Sequence, residues 1–140
     1  MRIRVVDFQS PTAAEEFTQG LKEIGFGVVA NHPINNRLVE KVYADWGAFF
    51  KGSEAEKNQY TFDNKKHDGY ISQNLSETAK GYDKKDLKEF YHYYTWGRCP
   101  DNLRQNTQDL SNQLTDMAKT LLSWVEYYAP KVATEHLTMP

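Results

Sequence analysis

Apolar residues recur at helical spacing in three stretches of this chain and gather in short β-branched or aromatic runs in four others. Ile3 to Phe8 reads as a short strand. Ser10-Pro11 predicts a helix start, with Ser10 as the cap and Pro11 at the first helical position. Ala13, Phe17, Leu21 and Ile24 then share one helical face, and Gly25 stands where a left-handed residue ends a helix. Phe26 to Ala30 is almost wholly apolar, which predicts a buried second strand. After a turn at Asn31-His32-Pro33-Ile34, Asn35 or Asn36 can cap a helix with Leu38, Val42, Trp46 and Phe49 on one face, widened by Val39 and Phe50. Gly52 ends it, and Ser53 followed by Glu56 predicts a capping box on a short helix.

The second half begins with Thr61 to Asp68, a polar stretch that reads as an exposed connection. Gly69 to Gln73 and Leu87 to Trp96 are strand-like, and Asn74 to Asp86 between them is polar enough for a mobile loop. Leu103, Leu110, Leu114, Met117, Leu121, Val125 and Tyr128 predict one long amphipathic helix, which Pro130 bounds or kinks. The fold class that follows is α+β: a helix-rich domain with a few short strands and one long C-terminal helix. Phe17, Leu21, Val28, Val42, Trp46 and Phe49 are the expected core. So long an apolar helix face calls for more partner surface than four short strands offer. The expectation is an incomplete unit with bare strand edges or a bare stretch of the last helix.

Composition narrows this picture. At 140 residues one domain, 1–140, is expected, and the 14% of aromatic residues can fill a core that 39% hydrophobic residues would otherwise fill poorly. Net charge is −2 and the lysines are scattered, so no basic stripe speaks for nucleic acid or an anionic membrane. Cys99 is the one cysteine, which rules out an internal disulfide and fits a reducing compartment. Beside Pro100 it reads as a half-buried loop residue rather than a reactive thiol. No apolar stretch is long enough for a signal peptide or a membrane span, and the sequence predicts a soluble, cytoplasmic protein.

Chemistry is sparse. A facial-triad iron site needs two histidines and a carboxylate on adjacent vertices. His32, His67, His92 and His136 all lack the His-x-Asp or His-x-Glu spacing, and there is no His-x-x-x-His pair. No metal ligand and no catalytic residue is therefore assigned within this chain. Glu77, Asp83, Asp86 and Glu89 alternate with Lys80, Lys84, Lys85 and Lys88 and read as a solvated, self-neutralised loop. Along Phe90 to Trp96, strand alternation puts Phe90, His92, Tyr94 and Trp96 on one face and Tyr91, Tyr93 and Thr95 on the other. Both faces are amphipathic. Two readings stay open: a buried strand whose phenols are satisfied at its margins, or a pocket wall that aims hydroxyls at a ligand.

One pattern carries more. Gly69-Tyr70, then Glu77-Thr78-Ala79-Lys80-Gly81, then Asp86-x-Lys88-Glu89-Phe90 follow in an order that resembles the N-terminal domain of iron(II)/2-oxoglutarate-dependent oxygenases of the isopenicillin N synthase type. Val6-Asp7-Phe8, Gly25-Phe26, Asn31-His32, Phe49-Phe50 and Glu56-Lys57 extend the similarity over nearly the whole chain. Pro33 departs from the glycine usual after Asn-His. The resemblance implies a longer enzyme, whose double-stranded β-helix domain would follow residue 140. That domain would carry the iron ligands and the 2-oxoglutarate site, so iron(II) and 2-oxoglutarate are cofactors of the whole enzyme and not of this segment. It further implies that this domain helps close the pocket over a small-molecule substrate. His67, Tyr70 and Ile71 would stand nearest the substrate, the Lys80-Gly81 loop would act as a lid, and Tyr91 and Tyr93 complete the candidates. His32 would be structural. The alternatives are a stand-alone, non-catalytic interaction module derived from that family and a small ligand carrier.

Overall fold

The computed structural model describes residues 3–74 and 88–129. In chain order its elements are β1 (Val5–Asp7), α1 (Ala13–Ile24), β2 (Val28–Ala30), α2 (Asn36–Lys51), α3 (Glu54–Asn58), β3 (Gly69–Ile71), β4 (Phe90–His92) and α4 (Asp101–Tyr128). This is the α+β class with one long C-terminal helix. The elements gather into two units, Met1–Asn35 with Ser111–Pro140, and Asn36–Leu110. Pro130 and the predicted loop from residue 75 onward lie outside the described residues.

In the first unit, β1 and β2 pair in parallel, with Val6 beside Val29 and Val5 beside Val28. Partners in register share a face, so the two faces have opposite fates. Val6 is buried with Ala13 and Phe17 of α1, against Leu21, Val29, Leu121, Trp124 and Val125. Trp124 closes this core, 5.0 Å from the Phe8 ring and 6.1 Å from the Phe17 ring between centroids. The other face is bare: Val5 is 59% and Val28 39% exposed. The buried strand expected at Phe26 to Ala30 is thus half wrong. A two-stranded sheet covered on one side buries only alternate residues, whatever the hydrophobicity of the run.

The start of α1 also differs from expectation. Ser10 and Pro11 are absorbed in turns, in which Ser10 N–H donates to Asp7 O and Ser10 O accepts from Ala13 N–H. The helix begins only at Ala13, with Thr12 at the cap position and no side-chain cap bond. Its end is as expected. Gly25 adopts φ +82°, the left-handed region, and returns its N–H to Leu21 O at 2.9 Å.

In the second unit, α2 turns Val42, Trp46, Phe49 and Phe50 to one side, and Val42 is buried. Trp46 and Phe49 are partly buried in a cluster of rings, and Trp46 Nε1 donates to Thr107 Oγ1 at 2.9 Å. The capping box at α3 is present in full: Ser53 Oγ accepts from Glu56 N–H while the Glu56 carboxylate accepts from Ser53 N–H. Thr61 to Asp68 is an exposed connection only in part: Thr61 and Asn64 to His67 are exposed, Phe62 and Asp63 are half-buried and Asp68 is buried. Thr61 bridges to Tyr70 and Asp63 to Asp68, so this stretch runs beside β3, and Asp68 has no solvent exposure. Cys99 is fully buried rather than half-buried, and burial pushes its thiol pKa up.

On α4, Leu103 is buried, whereas Leu114 and Leu122 are each about half exposed. With Ile3, Val5, Phe26, Val28 and Tyr127, they leave apolar side chains in solvent on β1, β2 and the last helix. No helix among the described residues is long and apolar enough to cross a membrane.

The first unit should depend on the Val6 face and not on the Val5 face. Phe17→Ala is expected to lower the unfolding free energy by about 3 kcal/mol. Val28→Thr should change it by less than about 0.5 kcal/mol. Urea unfolding measures both, and a negligible effect at Phe17 would refute this core.

Candidate functional site

Most of the residues singled out in the sequence meet at the β3–β4 hairpin. Its antiparallel register sets Gly69 opposite His92, Tyr70 opposite Tyr91 and Ile71 opposite Phe90. Side chains alternate between faces along each strand, so Tyr70 and Tyr91 share the inner face. Both rings stand edge-on to Phe49 of α2, at 6.0 and 5.7 Å between centroids, and Trp46 lies 4.8 Å from Tyr91. Edge-to-face contacts of this kind add to the area they bury.

The inner phenols all have protein partners. Tyr91 Oη donates to Arg98 O at 2.9 Å and Tyr93 Oη to Gln108 Oε1 at 2.7 Å. Tyr70, 1% exposed, donates to Glu89 Oε2. The same carboxylate oxygen accepts from Lys57 Nζ at 2.9 Å. Lys57 is buried, and its ammonium also meets Glu54 Oε1 at 2.9 Å and lies 5.3 Å from the Tyr70 ring centre. Hydrogen bonds that the ammonium donates to Glu54 and Glu89 raise the Lys57 pKa and keep it charged. The Tyr70 hydroxyl and then Lys57 lower that of Glu89, while burial first, and then Glu89, raises that of Tyr70. One oxygen thus ties α3, β3 and the residue preceding β4.

A second ionic contact sits at the other end of the hairpin. Asp68 is fully buried and accepts from the Arg98 backbone N–H and from Arg98 Nη2, the latter at 2.9 Å. Arg98 Nη2 also donates to Thr61 O at 2.8 Å. The Arg98 hydrogen bonds hold the Asp68 carboxyl below its ordinary value. Gly69 follows with φ +114°, and a Cβ there would stand 2.3 Å from Tyr60 O, so no side chain fits.

The outer face carries different chemistry. Ile71 and Phe90 lie opposite one another, and His92 stands opposite Gly69. The Phe62 and His92 rings meet edge-on at 5.4 Å, and Phe90 lies 5.2 Å from His92. His67, exposed and in the left-handed region at φ +57°, stands 6.4 Å from Phe62. Apolar rings with two imidazoles able to donate or accept a hydrogen bond suit a flat, largely apolar ligand with a few polar atoms.

The candidates therefore divide. His67 is exposed on the outer side, Ile71 lies on the outer face of the strand but is buried, and Tyr70, Tyr91 and Tyr93 have hydroxyls already engaged within the protein. Lys80 lies outside the described residues. Strand alternation holds through Phe90–His92 and then stops: Tyr94 N-terminal to a turn stacks on Trp96 at 4.7 Å, and Gly97 N–H returns to Tyr94 O. Lys57, Asp68 and Arg98 were not singled out, and Glu89, expected in a solvated loop, is instead partly buried and bonded to Lys57 and Tyr70. Lys57 and Glu89 had a signal, since both stand in the Glu-Lys and Lys-Glu-Phe pieces of the resemblance. Elsewhere in this unit a groove of about 350 Å³ is lined by Phe49, Tyr60, Leu103, Asp45 and Glu56, but Asp45 is engaged with Lys41 and Asn106 and Glu56 with Ser53. Among the described residues no three His, Cys, Asp or Glu side chains gather as metal ligands.

The family model described as non-haem dioxygenase in morphine synthesis N-terminal matches residues 3–118. The chain belongs to this dioxygenase N-terminal family. A crystal structure from Shewanella oneidensis, described as that of a "putative oxygenase", is 43% identical and superposes with a TM-score of 0.85, covering 100% of this chain and 50% of that one. Jasmonate-induced oxygenase 3 of Arabidopsis thaliana is 24% identical over 115 residues, which is 77% of this chain and 32% of that protein. The chain thus spans half the length of the solved relative and about a third of the plant one. What it shares with these oxygenases is the N-terminal domain.

Asp68 makes the family domain acid-sensitive with a definite sign. A carboxyl whose folded pKa is lowered stabilises the fold above its unfolded value and loses that contribution as pH falls through the folded pKa. Asp68→Asn should cost about 3 kcal/mol at neutral pH, the low end for a broken buried pair because Arg98 is partly exposed. It should also flatten the acid limb of stability below about pH 4. Denaturation at a series of pH values reads both effects, and an unchanged acid limb would show that Asp68 is not the group responsible.

Proposed function

We propose that the chain is the N-terminal part of a longer non-haem iron(II), 2-oxoglutarate-dependent oxygenase that oxidises a small organic substrate by hydroxylation, desaturation or ring closure. Residues 1–140 supply scaffold and one wall of the substrate pocket, and a downstream catalytic domain is their partner. The observation that carries this reading is the family match over residues 3–118, with half of an oxygenase chain superposing at 43% identity. The apolar side chains left in solvent on β1, β2 and α4 support it, since bare patches of this kind mark surfaces with a partner.

In this reading the wall is the outer face of the β3–β4 hairpin. His67 and His92 would orient polar atoms of the substrate, while the half-buried Phe62 and Phe90 supply contact area and the buried Ile71 backs them. Lys80 stays a candidate on the family resemblance. Tyr70, Tyr91 and Tyr93 support the wall from behind. Iron and 2-oxoglutarate supply the oxidising chemistry when bound, and the described residues offer no ligand set for the metal. Both are therefore assigned to the downstream domain. The buried lone thiol of Cys99 is in keeping with a cytoplasmic enzyme.

Iron titration and succinate release on two proteins test the proposal. Residues 1–140 alone should bind iron(II) weakly and turn over no 2-oxoglutarate. The chain joined to its downstream domain should bind one iron and form succinate. In that longer protein, His67→Ala should lower kcat/KM for the organic substrate about tenfold with iron affinity unchanged. Tight stoichiometric iron binding by residues 1–140, or a longer protein that is iron-free and inactive, would overturn the reading.

A further inference from the structure

The β3–β4 ladder is only three residues long on each side, and its hydrophobic pattern does not say which face belongs inside. Phe90 and His92 alternate with Tyr91 and Tyr93, so both faces are aromatic and both are amphipathic. A slip of one residue would exchange them, turning Tyr91 outward and Phe90 and His92 inward. Little would be lost in apolar burial. Strands with such two-sided patterns are the ones in which register is weakly specified.

We propose that Lys57, Tyr70 and Glu89 are positioning residues that fix this register, and with it the side chains displayed on the outer face of the hairpin. Glu89 immediately precedes β4 and shares the parity of Tyr91, two residues on. Its Oε2 accepts from Tyr70 of β3, the strand opposite, and from Lys57 of α3 at 2.9 Å. Lys57 is itself fixed by Glu54 at 2.9 Å and by Phe50 O at 3.4 Å. A one-residue slip would carry the Glu89 side chain to the other face. It would leave a 4%-exposed ammonium and a 1%-exposed phenol without this acceptor. Breaking a buried charged contact costs far more than exchanging one aromatic face for the other. The hydrogen bonds to the Glu89 oxygen, above all the one that Tyr70 makes across the strands, therefore decide what the hydrophobic pattern leaves open. Asp68 and Arg98 fasten the far end of the hairpin, but a turn from Tyr94 to Gly97 separates Arg98 from β4, so that contact alone can accommodate a slip.

The register claim stands on the geometry. Its consequence for substrate selection rests on the pocket-wall reading above, and the two are tested separately. For the first, cross-strand contacts and the His92 ring signals are read by NMR on residues 1–140. Glu89→Gln keeps an acceptor oxygen and should retain one register, with Gly69 opposite His92. Combined Lys57→Met, Tyr70→Phe and Glu89→Leu replaces the network by apolar groups of similar size. It should fold, yet show two sets of His92 signals and new contacts from Gly69 to Tyr91 or Tyr93. If the combined variant does not fold, Tyr70→Phe alone carries the test and should show a second His92 signal. One unshifted set of signals in the combined variant, or in Tyr70→Phe where that is the variant read, overturns the proposal. For the second, Tyr70→Phe in the longer protein should raise KM for the organic substrate about tenfold while leaving KM for 2-oxoglutarate where it was. Equal loss for both substrates would mean general destabilisation and would overturn the positioning role. A longer protein with no turnover would remove the pocket-wall reading and leave the NMR result to decide the register.

Discussion

A carboxylate that has lost its water must be given donors in return, and the hairpin is built around two that have met this demand. Asp68, without solvent exposure, takes the Arg98 guanidinium and backbone N–H. Glu89 takes a phenol and an ammonium at a single oxygen. One stands before β3 and the other before β4, so the two ends of a three-residue ladder are each held by charge. Hydrogen bonds within so short a ladder could not hold it alone, since an isolated two-stranded hairpin is marginal in water. The rings of Phe49, Trp46, Tyr70 and Tyr91 fill the space behind it. Packing supplies the bulk of the stabilisation, and charge supplies the address at which each strand is set down.

This division of labour explains the contrast between the two units. In the first, a parallel pair rests on α1 through Val6 and Phe17 and on Trp124 of α4, and among the described residues no charged side chain is buried in that core. Its alternation of Val5 out and Val6 in is set by which side the helices cover. In the second unit the aromatic content is high on both sides of the strand, and an oily core could accept either. Gly69 adds a steric condition, because only a residue without Cβ passes Tyr60 O. The Phe62 and His92 rings meet edge-on nearby.

Local signals were the legible ones. Gly25 as a left-handed helix end, the Ser53–Glu56 capping box and the apolar face of α2 all arise within a few residues, and each stands where the chain indicates. The helix start at Ser10-Pro11 failed because Asp7 and Ser10 spend their hydrogen bonds on turns first. Val28 failed because hydrophobicity reports what could be buried, and the number of covering layers decides what is. Asp68 was invisible: among Asn64, Lys65, Lys66 and His67 it reads as one more solvated charge, and its partner is thirty residues further along. Lys57 and Glu89 were visible only as fragments of a family pattern, with nothing in their spacing to show that they touch. His67 and Ile71 were found by that pattern, whereas Phe62 and His92, which share the outer surface, needed the strand pairing to bring them together.

The setting of Lys57 has a further consequence for its reactivity. An amine attacks acylating and carbonyl reagents through its lone pair, which is free only after a proton has left. Here two carboxylates hold that proton in place and the neighbouring chain shields the nitrogen from solvent. Lys57 should therefore react far more slowly with such reagents in the folded protein than an exposed lysine does. Its first appearance among labelled residues would mark the opening of the hairpin, which makes this one side chain a natural reporter of the event that would dissolve the outer face.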